Sequence, residues 1–163
     1  MTGVHRKIHA WQSPEPPGWL VPNQKPRYMG GRQPEPVELG LHFDTEDPFE
    51  IQAALITRHP TNRSATTGWL VAQGPWRFDR TLLKAALVAA AGVEFGHGDV
   101  RIVNVGGSVT FRLATLGNDV TWITCSTTPC AAFIADVDRI VPPDAATYDV
   151  DAWLTELFEG GVT

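Results

Sequence analysis

The chain has 163 residues, 43% hydrophobic and 19% charged, which is ordinary for one globular domain. No apolar run approaches the ~20 residues that span a bilayer, and no apolar segment follows the charged start, so we expect no membrane insertion, no signal peptide and a cytoplasmic location. The net charge of −5 is uneven, with +3 on residues 1–36 and −8 on residues 37–163. The acidic body argues against nucleic acid as a partner, because phosphate binding depends on lysine and arginine.

Residues 1–36 are predicted to form a proline-rich N-terminal extension that is extended or flexible. They hold seven of the 13 prolines, and proline removes backbone donors and disfavours helix at the residue before it. Trp11 and Trp19 make the segment too apolar for a simple spacer. Two interpretations stay open: a partner-binding segment, or an arm that packs on its own domain or on a neighbouring subunit.

The domain is predicted to span residues 37–163 and to begin with a β section. Alternating apolar residues predict three strands, over 37–43, 49–57 and 67–72. Gln73-Gly74-Pro75 is expected to break the third strand. A helix is predicted from Arg80 to about Ala91, with Asp79 as its N-cap and Gly92 as its stop.

The second half of the domain repeats this pattern of strands followed by helix. Strands are predicted over 100–105, 109–113 and 120–125, and hairpin turns at Gly106-Gly107 and Gly117-Asn118 join them. Two helices follow, one capped by Thr128 and running to Ile140, the other over about 150–159. The order β₃-α-β₃-α-α predicts an α+β domain.

The chain shows no motif that carries catalysis. Its histidines match no zinc pattern, and there is no dinucleotide, Walker or G-x-S-x-G motif. The acidic turn of Asp44, Glu46, Asp47 and Glu50 could hold a metal or an acid/base pair, but its proline and its lack of glycine favour a solvated turn. We expect no catalytic residue, no cofactor, no metal site and no enzyme activity.

Cys125 and Cys130 are the two cysteines of the chain. Two ligands cannot close a structural zinc site, and the spacing is not C-x-x-C. Two small buried side chains are favoured over a disulfide.

Four landmarks occur in order along the body of the chain. They are Leu39-x-Leu41 with Asp47-Pro48-Phe49, then Trp76-x-Phe78-x-Arg80-x-Leu82-Leu83, then Gly98-Asp99-Val100-Arg101-Ile102, then Phe133-Ile134 with Arg139-Ile140-Val141-Pro142-Pro143. The set resembles the SsgA-like family of actinobacterial sporulation and cell-division proteins. The chain departs from that pattern at Val103-Asn104, where the family has proline, and at Val137, where it has threonine.

The resemblance implies most of what is expected of function. It implies a non-enzymatic cytoplasmic protein at sporulation septa that helps to position or tether the FtsZ division machinery. It also implies bent antiparallel sheets with helices, similar to the Whirly-type nucleic-acid-binding fold, and a trimeric assembly. The alternative function that this fold implies is binding of single-stranded nucleic acid.

Partner-binding residues are expected among the conspicuous aromatic and arginine side chains, because binding energy concentrates in such anchors. The candidates are Trp76, Arg77, Arg80, Trp11 and Trp19. The alternative for Trp76 and Arg80 is structural, as a core aromatic and a helix-surface arginine. Trp122 is expected to lack a nearby cation, which argues against a base-stacking role.

Overall fold

The computed structural model describes residues 3–16, 34–60, 68–115, 117 and 119–145. Within them, eight strands form one sheet: β1 Gly3–Ser13, β2 Glu35–Asp44, β3 Glu50–Pro60, β4 Gly68–Asp79, β5 Glu94–His97, β6 Val100–Asn104, β7 Ser108–Ala114 and β8 Val120–Ser126. Helix α1 (Arg80–Val88) follows β4, and α2 (Thr127–Ile140) follows β8. The predicted α+β class with an antiparallel sheet is confirmed. The helix predicted over 150–159 lies outside the described residues.

The sheet curls back on itself. Its strand order is β4-β3-β2-β1-β8-β7-β6-β5, and every neighbouring pair is antiparallel. In a flat sheet β4 and β7 would lie about 24 Å apart, since strands are spaced by about 4.8 Å. Instead the Trp76 indole N–H in β4 donates to the carbonyl oxygen of Ala114 at the end of β7, over 2.7 Å. The ring centroids of Phe78 and Phe111 are 6.2 Å apart.

The curl gives the sheet an inner face, which carries the core, and an outer face. Alternate apolar residues of the strands turn inward. In β2 and β7 six of these residues are wholly buried: Leu39, Leu41, Phe43, Val109, Phe111 and Leu113. Both helices lie on the inner side, where Leu83 of α1 and Phe133 of α2 are buried. Each such side chain contributes about 1.5–3 kcal/mol by leaving water.

The N-terminal segment corrects the expected start of the domain. Residues 3–13 form β1, which pairs with β2 on one side and with β8 on the other. Ile8 and Ala10 are buried, and Arg6 forms an ion pair with Asp136 of α2 over 2.7 Å. The sheet therefore begins well before Val37, and this stretch is an arm packed into its own domain. Residues 17–33 lie outside the described part of the chain.

Strand β4 continues through Gln73-Gly74-Pro75, where the sequence predicted a break. The ladder between β3 and β4 shifts register at Ala53 and Leu55, opposite this point, and the Gly74–Pro75 peptide is cis. Proline is tolerated here because β4 is an edge strand, where a missing N–H donor leaves no inner partner unpaired.

Of the predicted turns and helix caps, one hairpin turn and one cap are confirmed and one cap is wrong. Gly106 and Gly107 both have positive φ, 53° and 95°, as the predicted tight hairpin between β6 and β7 requires. Asp79 caps α1 by accepting from the Thr81 backbone N–H over 2.7 Å, as predicted. The predicted Thr128 cap of α2 is wrong, because the Ser126 hydroxyl accepts from the Thr128 backbone N–H.

The short strand β5 occupies part of the predicted Gly96-His97-Gly98 turn, so the second meander has four strands. The chain then turns at Gly98, whose φ is 67°.

No helix within the described ranges is long and apolar enough to cross a membrane.

Candidate partner-binding surface

Trp76 joins the two ends of the curled sheet. Its side chain points inward from β4, and only 7% of the residue is exposed. The indole N–H donates to the Ala114 carbonyl oxygen over 2.7 Å, so the ring buries a large apolar area while its polar atom stays satisfied. This position matches the structural alternative for Trp76, since a partner cannot reach the ring without opening the core.

Arg80 is buried at the start of α1, and only 3% of the residue is exposed. Its guanidinium Nη1 donates to the carbonyl oxygen of Val141, the C-cap of α2, over 2.9 Å. A cation at a helix C-terminus offsets the partial negative charge of the free carbonyl groups. Arg80 therefore fastens α1 to the end of α2, and it is neither a helix-surface arginine nor an accessible anchor.

Arg77 lies on the exposed side of β4. Its side chain is 62% exposed and pairs with Glu50 of β3 over 3.4 Å. The nearby acidic turn uses its carboxylates locally, since Asp44 accepts from the Glu46 backbone N–H and Asp47 from that of Phe49. In the described ranges no group of three or more histidine, cysteine or acidic side chains is arranged to hold a metal ion.

Trp11 stands on the outer face of β1, near the middle of the sheet. The residue is 49% exposed, the most of any aromatic residue whose burial the structure describes. Its ring meets that of His9 edge-on, with centroids 5.6 Å apart. Both neighbouring strands hold β1 in place, so this tryptophan is presented on a rigid support. Trp19 lies outside the described residues.

Trp122 has a cation beside it, which corrects the sequence-based expectation. Arg112 of β7 is directly opposite Trp122 of β8, and its guanidinium carbon lies 6.0 Å from the ring centroid. This is the distance range of a cation–π contact. Trp122 in turn faces Ser13, and Trp11 faces Thr124, so the two tryptophans are diagonal neighbours across β1 and β8. We refer to His9, Trp11, Arg112 and Trp122 as the central outer patch.

Arg112 differs from the other basic side chains in the described part of the chain. Within residues 3–16, 34–57, 73–115 and 119–145, each of the others pairs with a carboxylate or a backbone carbonyl: Arg6 and Arg139 with Asp136, Lys7 with Glu38, Arg77 with Glu50, Lys84 with Asp138, Arg101 with Glu94 and Arg80 with Val141. Arg112 has only the Trp122 ring among described residues. Arg112 is half-buried, and its five N–H donors have no acceptor among the described residues.

The two cysteines lie on the inner face, away from this patch. Their Sγ atoms are 3.6 Å apart, Cys125 on β8 and Cys130 in α2, and both are buried as free thiols. The hydrogen bond with Cys130 and the burial of the site raise the pKa of Cys125 well above its usual range. The preference for two buried side chains over a disulfide agrees with this arrangement.

Comparison with known proteins decides the family. A family model described as Streptomyces sporulation and cell division protein, SsgA, matches residues 37–146. The chain belongs to the SsgA family. This SsgA-family protein is 32% identical over 116 residues to the sporulation-specific cell division protein SsgB of Saccharopolyspora erythraea. The alignment covers 71% of this chain and 65% of the relative, so the chain spans just under two thirds of that protein's length.

Two solved structures share the fold of this SsgA-family protein. One was reported with mutations in SsgB that correlate to longitudinal cell division during sporulation of Streptomyces coelicolor; its TM-score is 0.57 at 22% identity, covering 88% of this chain and 92% of that one. The other is an SsgA-like sporulation-specific cell division protein from Thermobifida fusca, with the same TM-score and identity over 96% of both chains. Membership of this family supports a role in cell division during sporulation.

The structure thus separates the residues that the sequence grouped as partner-binding in this family member. Trp76 and Arg80 serve the inner face, and Arg77 is exposed on the outer face of the edge strand β4. Among the candidates whose placement the structure describes, Trp11 is the one in the central outer patch. Sequence reasoning missed Arg112 and Trp122, which are ten positions apart in the chain. Counting outward from the predicted two-residue turn at Gly117-Asn118 places Arg112 opposite Ile123, one residue away from the observed register in which Arg112 faces Trp122.

Proposed function

We propose that this SsgA-family protein is a non-enzymatic, oligomeric adaptor that helps to position or tether the FtsZ machinery at the division septum. Family membership supports the setting in sporulation division, and the central outer patch supports the mode of action. It combines exposed Trp11 with Trp122 and with Arg112, which no carboxylate engages among the described residues. Tryptophan and arginine are the residues in which interface binding energy most often concentrates.

The patch is well placed to bind a protein without first changing shape. Trp11 and Trp122 stand on β1 and β8, the two central strands, and each strand is paired on both sides. Anchors held on a rigid support lose little conformational entropy on binding. A partner that covers the patch would bury the exposed half of the Trp11 ring and meet the free donors of Arg112.

Co-sedimentation with assembled FtsZ from the same organism tests the proposal. We expect the native protein to pellet with FtsZ polymers and Trp11→Ala to pellet at least about tenfold less, as interface anchors do. Val88→Ala is the matched control, because Val88 is an apolar residue 86% exposed on α1, far from the patch. If the native protein does not pellet even with FtsZ polymers in large excess, the adaptor proposal is contradicted.

The N-terminal segment requires a different design from simple truncation. Deleting residues 1–36 would remove β1 from the centre of the sheet, and loss of binding would then report unfolding. Replacing residues 17–33 with a glycine–serine linker of equal length keeps β1 and β2 and removes Trp19. Reduced pelleting of this variant would assign the segment to the partner interface, and unchanged pelleting would remove Trp19 from it. Arg77→Gln tests the remaining candidate in the same assay.

We further propose that the assembly is a homotrimer in the cytoplasm, recruited to division septa. Light scattering of the purified protein would give its mass relative to the 17.8 kDa chain. A fluorescent fusion would show bands at septa during sporulation. A monomeric mass, or diffuse fluorescence throughout septation, would contradict these two points separately.

A second function, binding of single-stranded nucleic acid, is favoured by one observation: the guanidinium of Arg112 lies over the Trp122 ring next to exposed Trp11. Aromatic rings with adjacent cations are the usual stacking platform for bases. Titration of a labelled single-stranded oligonucleotide at two salt concentrations tests it. A shift that weakens with salt would support this function, and no shift at low salt would exclude it.

A further inference from the structure

We infer that the central outer patch binds an acidic, extended segment of a protein partner, with one carboxylate on Arg112 and a nearby apolar side chain on Trp11. The inference rests on the proposed adaptor function and specifies the chemistry of the partner. It comes from a charge that the described part of the chain leaves unneutralised, beside an aromatic surface that it leaves uncovered.

The first step is the environment of Arg112. Directly opposite it on β6 is Arg101, another cation on the same face, and like charges facing each other across strands are destabilising. Arg101 directs its Nη1 toward Glu94 over 2.9 Å, which leaves Arg112 without a carboxylate among described residues. An incoming anion would relieve this repulsion as well as bind.

The second step is the geometry of the guanidinium. The guanidinium carbon of Arg112 lies over the Trp122 ring at 6.0 Å from its centroid, and among described residues no acceptor engages the N–H donors of the group. A planar carboxylate can accept two parallel hydrogen bonds from the edge of a guanidinium. Arg112 therefore offers a glutamate or aspartate side chain of a partner an edge that no described carboxylate occupies.

The third step is the spacing to Trp11. Arg112 and Trp11 lie two strands apart and two residues out of register, because Arg112 faces Trp122, Trp122 faces Ser13, and Trp11 is two residues before Ser13. Strand spacing and rise place their Cα atoms roughly 12 Å apart. An extended peptide covers that distance in about four residues, and an even separation keeps both side chains on the same face, which predicts an acidic residue and an apolar residue four positions apart.

A peptide fits these observations better than a nucleic acid. Nucleic acid binding requires several cations that follow the phosphates, but within residues 3–16, 34–57, 73–115 and 119–145 Arg112 is the one basic side chain that no carboxylate or carbonyl engages. Two further described cations near the patch, Arg101 and Lys7, already pair with Glu94 over 2.9 Å and with Glu38 over 3.1 Å. One free guanidinium beside an apolar ring suits one carboxylate beside an apolar side chain.

Nuclear magnetic resonance of the isotope-labelled full chain tests the inference, because it detects weak binding. The probe is a blocked peptide with one glutamate and one leucine four positions apart in a glycine–serine background, so that both side chains face the same way when the peptide is extended. We expect saturable shifts of the Trp11 and Trp122 indole N–H signals and of the Arg112 Nε–H signal. Replacing the peptide glutamate with glutamine, or Arg112 with glutamine, should weaken binding by about tenfold or more, as for a charge-assisted pair.

The controls separate charge from position. Arg139→Gln removes one positive charge from the exposed face of α2, remote from the patch, and should leave the peptide affinity unchanged. Arg112→Lys keeps the charge without the bidentate edge and should recover only part of the affinity. Equal binding by native protein and Arg112→Gln would overturn the inference, and so would oligothymidylate shifting the same signals at lower concentration than the peptide.

Failure of this inference is distinguishable from failure of the adaptor function. If Arg112→Gln pellets with FtsZ as well as the native protein and the peptide does not bind, the function stands and the acidic-segment inference falls. If the peptide binds in the expected way but no division protein associates with the chain, the patch chemistry is right and its assigned partner class is wrong.

Discussion

Two tryptophan–arginine sets occupy opposite faces of the same sheet and serve different ends. On the inner face, Trp76 and Arg80 each give a hydrogen bond to a backbone carbonyl, that of Ala114 and that of Val141. On the outer face, Arg112 contacts the Trp122 ring and no carboxylate or carbonyl among described residues. Residue type does not separate structure from recognition here. The separation comes from whether the polar atoms are satisfied within the fold.

The largest expected effect is at Trp76. Trp76→Ala should lower the free energy of unfolding by about 3–5 kcal/mol, because it empties a large buried volume. Trp76→Phe fills most of that space but leaves the Ala114 carbonyl without its donor, and should cost about 1–3 kcal/mol. Urea unfolding followed by circular dichroism measures both. A loss below 1 kcal/mol for the alanine variant would show that the ring does not join the two ends of the sheet.

Arg80 should give the next effect. Arg80→Met keeps most of the buried stem but removes the donor to Val141, and should cost about 1.5–3 kcal/mol, the range for hydrogen bonds to charged groups. The same unfolding experiment measures it, with Lys84→Met as control because that ion pair to Asp138 is partly exposed. If both substitutions cost the same, Arg80 would have no special role at the end of α2.

The buried thiol of Cys125 on the inner face should also make the stability of the protein depend on pH. Because the pKa of Cys125 is raised in the native state, folding holds the thiol proton more tightly than the unfolded chain does. This contribution is complete below the ordinary thiol pKa of about 8.5 and is lost as pH rises above it. Between pH 8.5 and 10, the free energy of unfolding of the native chain should fall more steeply than that of Cys125→Ala, by up to about 1.4 kcal/mol per pH unit. Parallel pH profiles would contradict this.

The smallest effect on stability is expected on the outer face. Trp11→Ala and Arg112→Gln should each change the free energy of unfolding by less than about 1 kcal/mol, as surface substitutions usually do. Their effect should appear in partner binding instead. A stability loss as large as that of Trp76→Ala would erase the difference between the two faces, and the central outer patch would then be structural.

Much of the fold could be predicted from the sequence, because apolar and polar residues alternate along half-buried strands. Strands β2, β3 and β6 to β8 were predicted within a few residues, and Gly106-Gly107 marked a hairpin that the structure has. Strand β1 was missed because Arg6 breaks its apolar alternation, and its ion pair with Asp136 of α2 comes from tertiary structure. Strand β4 was shortened because proline ordinarily ends strands, whereas an edge strand accepts it.

The candidate site was less accessible to sequence reasoning. Trp11 was noticed because an exposed aromatic is unusual in a proline-rich segment. Arg112 and Trp122 were not, because a cross-strand contact depends on register, and register depends on the turn between the strands. Arg80 was misjudged for a related reason: its buried acceptor, Val141, is supplied by the end of another helix.

The position of β1 also shapes how the chain is made. Among the described strands, β1 comes first in the chain and is one of the two central ones, and β8, its partner on one side, comes last. Gln12 and its hydrogen-bonding partner Thr121 are 109 residues apart in sequence. During most of translation one edge of β1 therefore lacks its strand, and unpaired edges invite association with other chains. Completion of the sheet is consequently a late, long-range event, and slow translation before β8 should favour capture by chaperones.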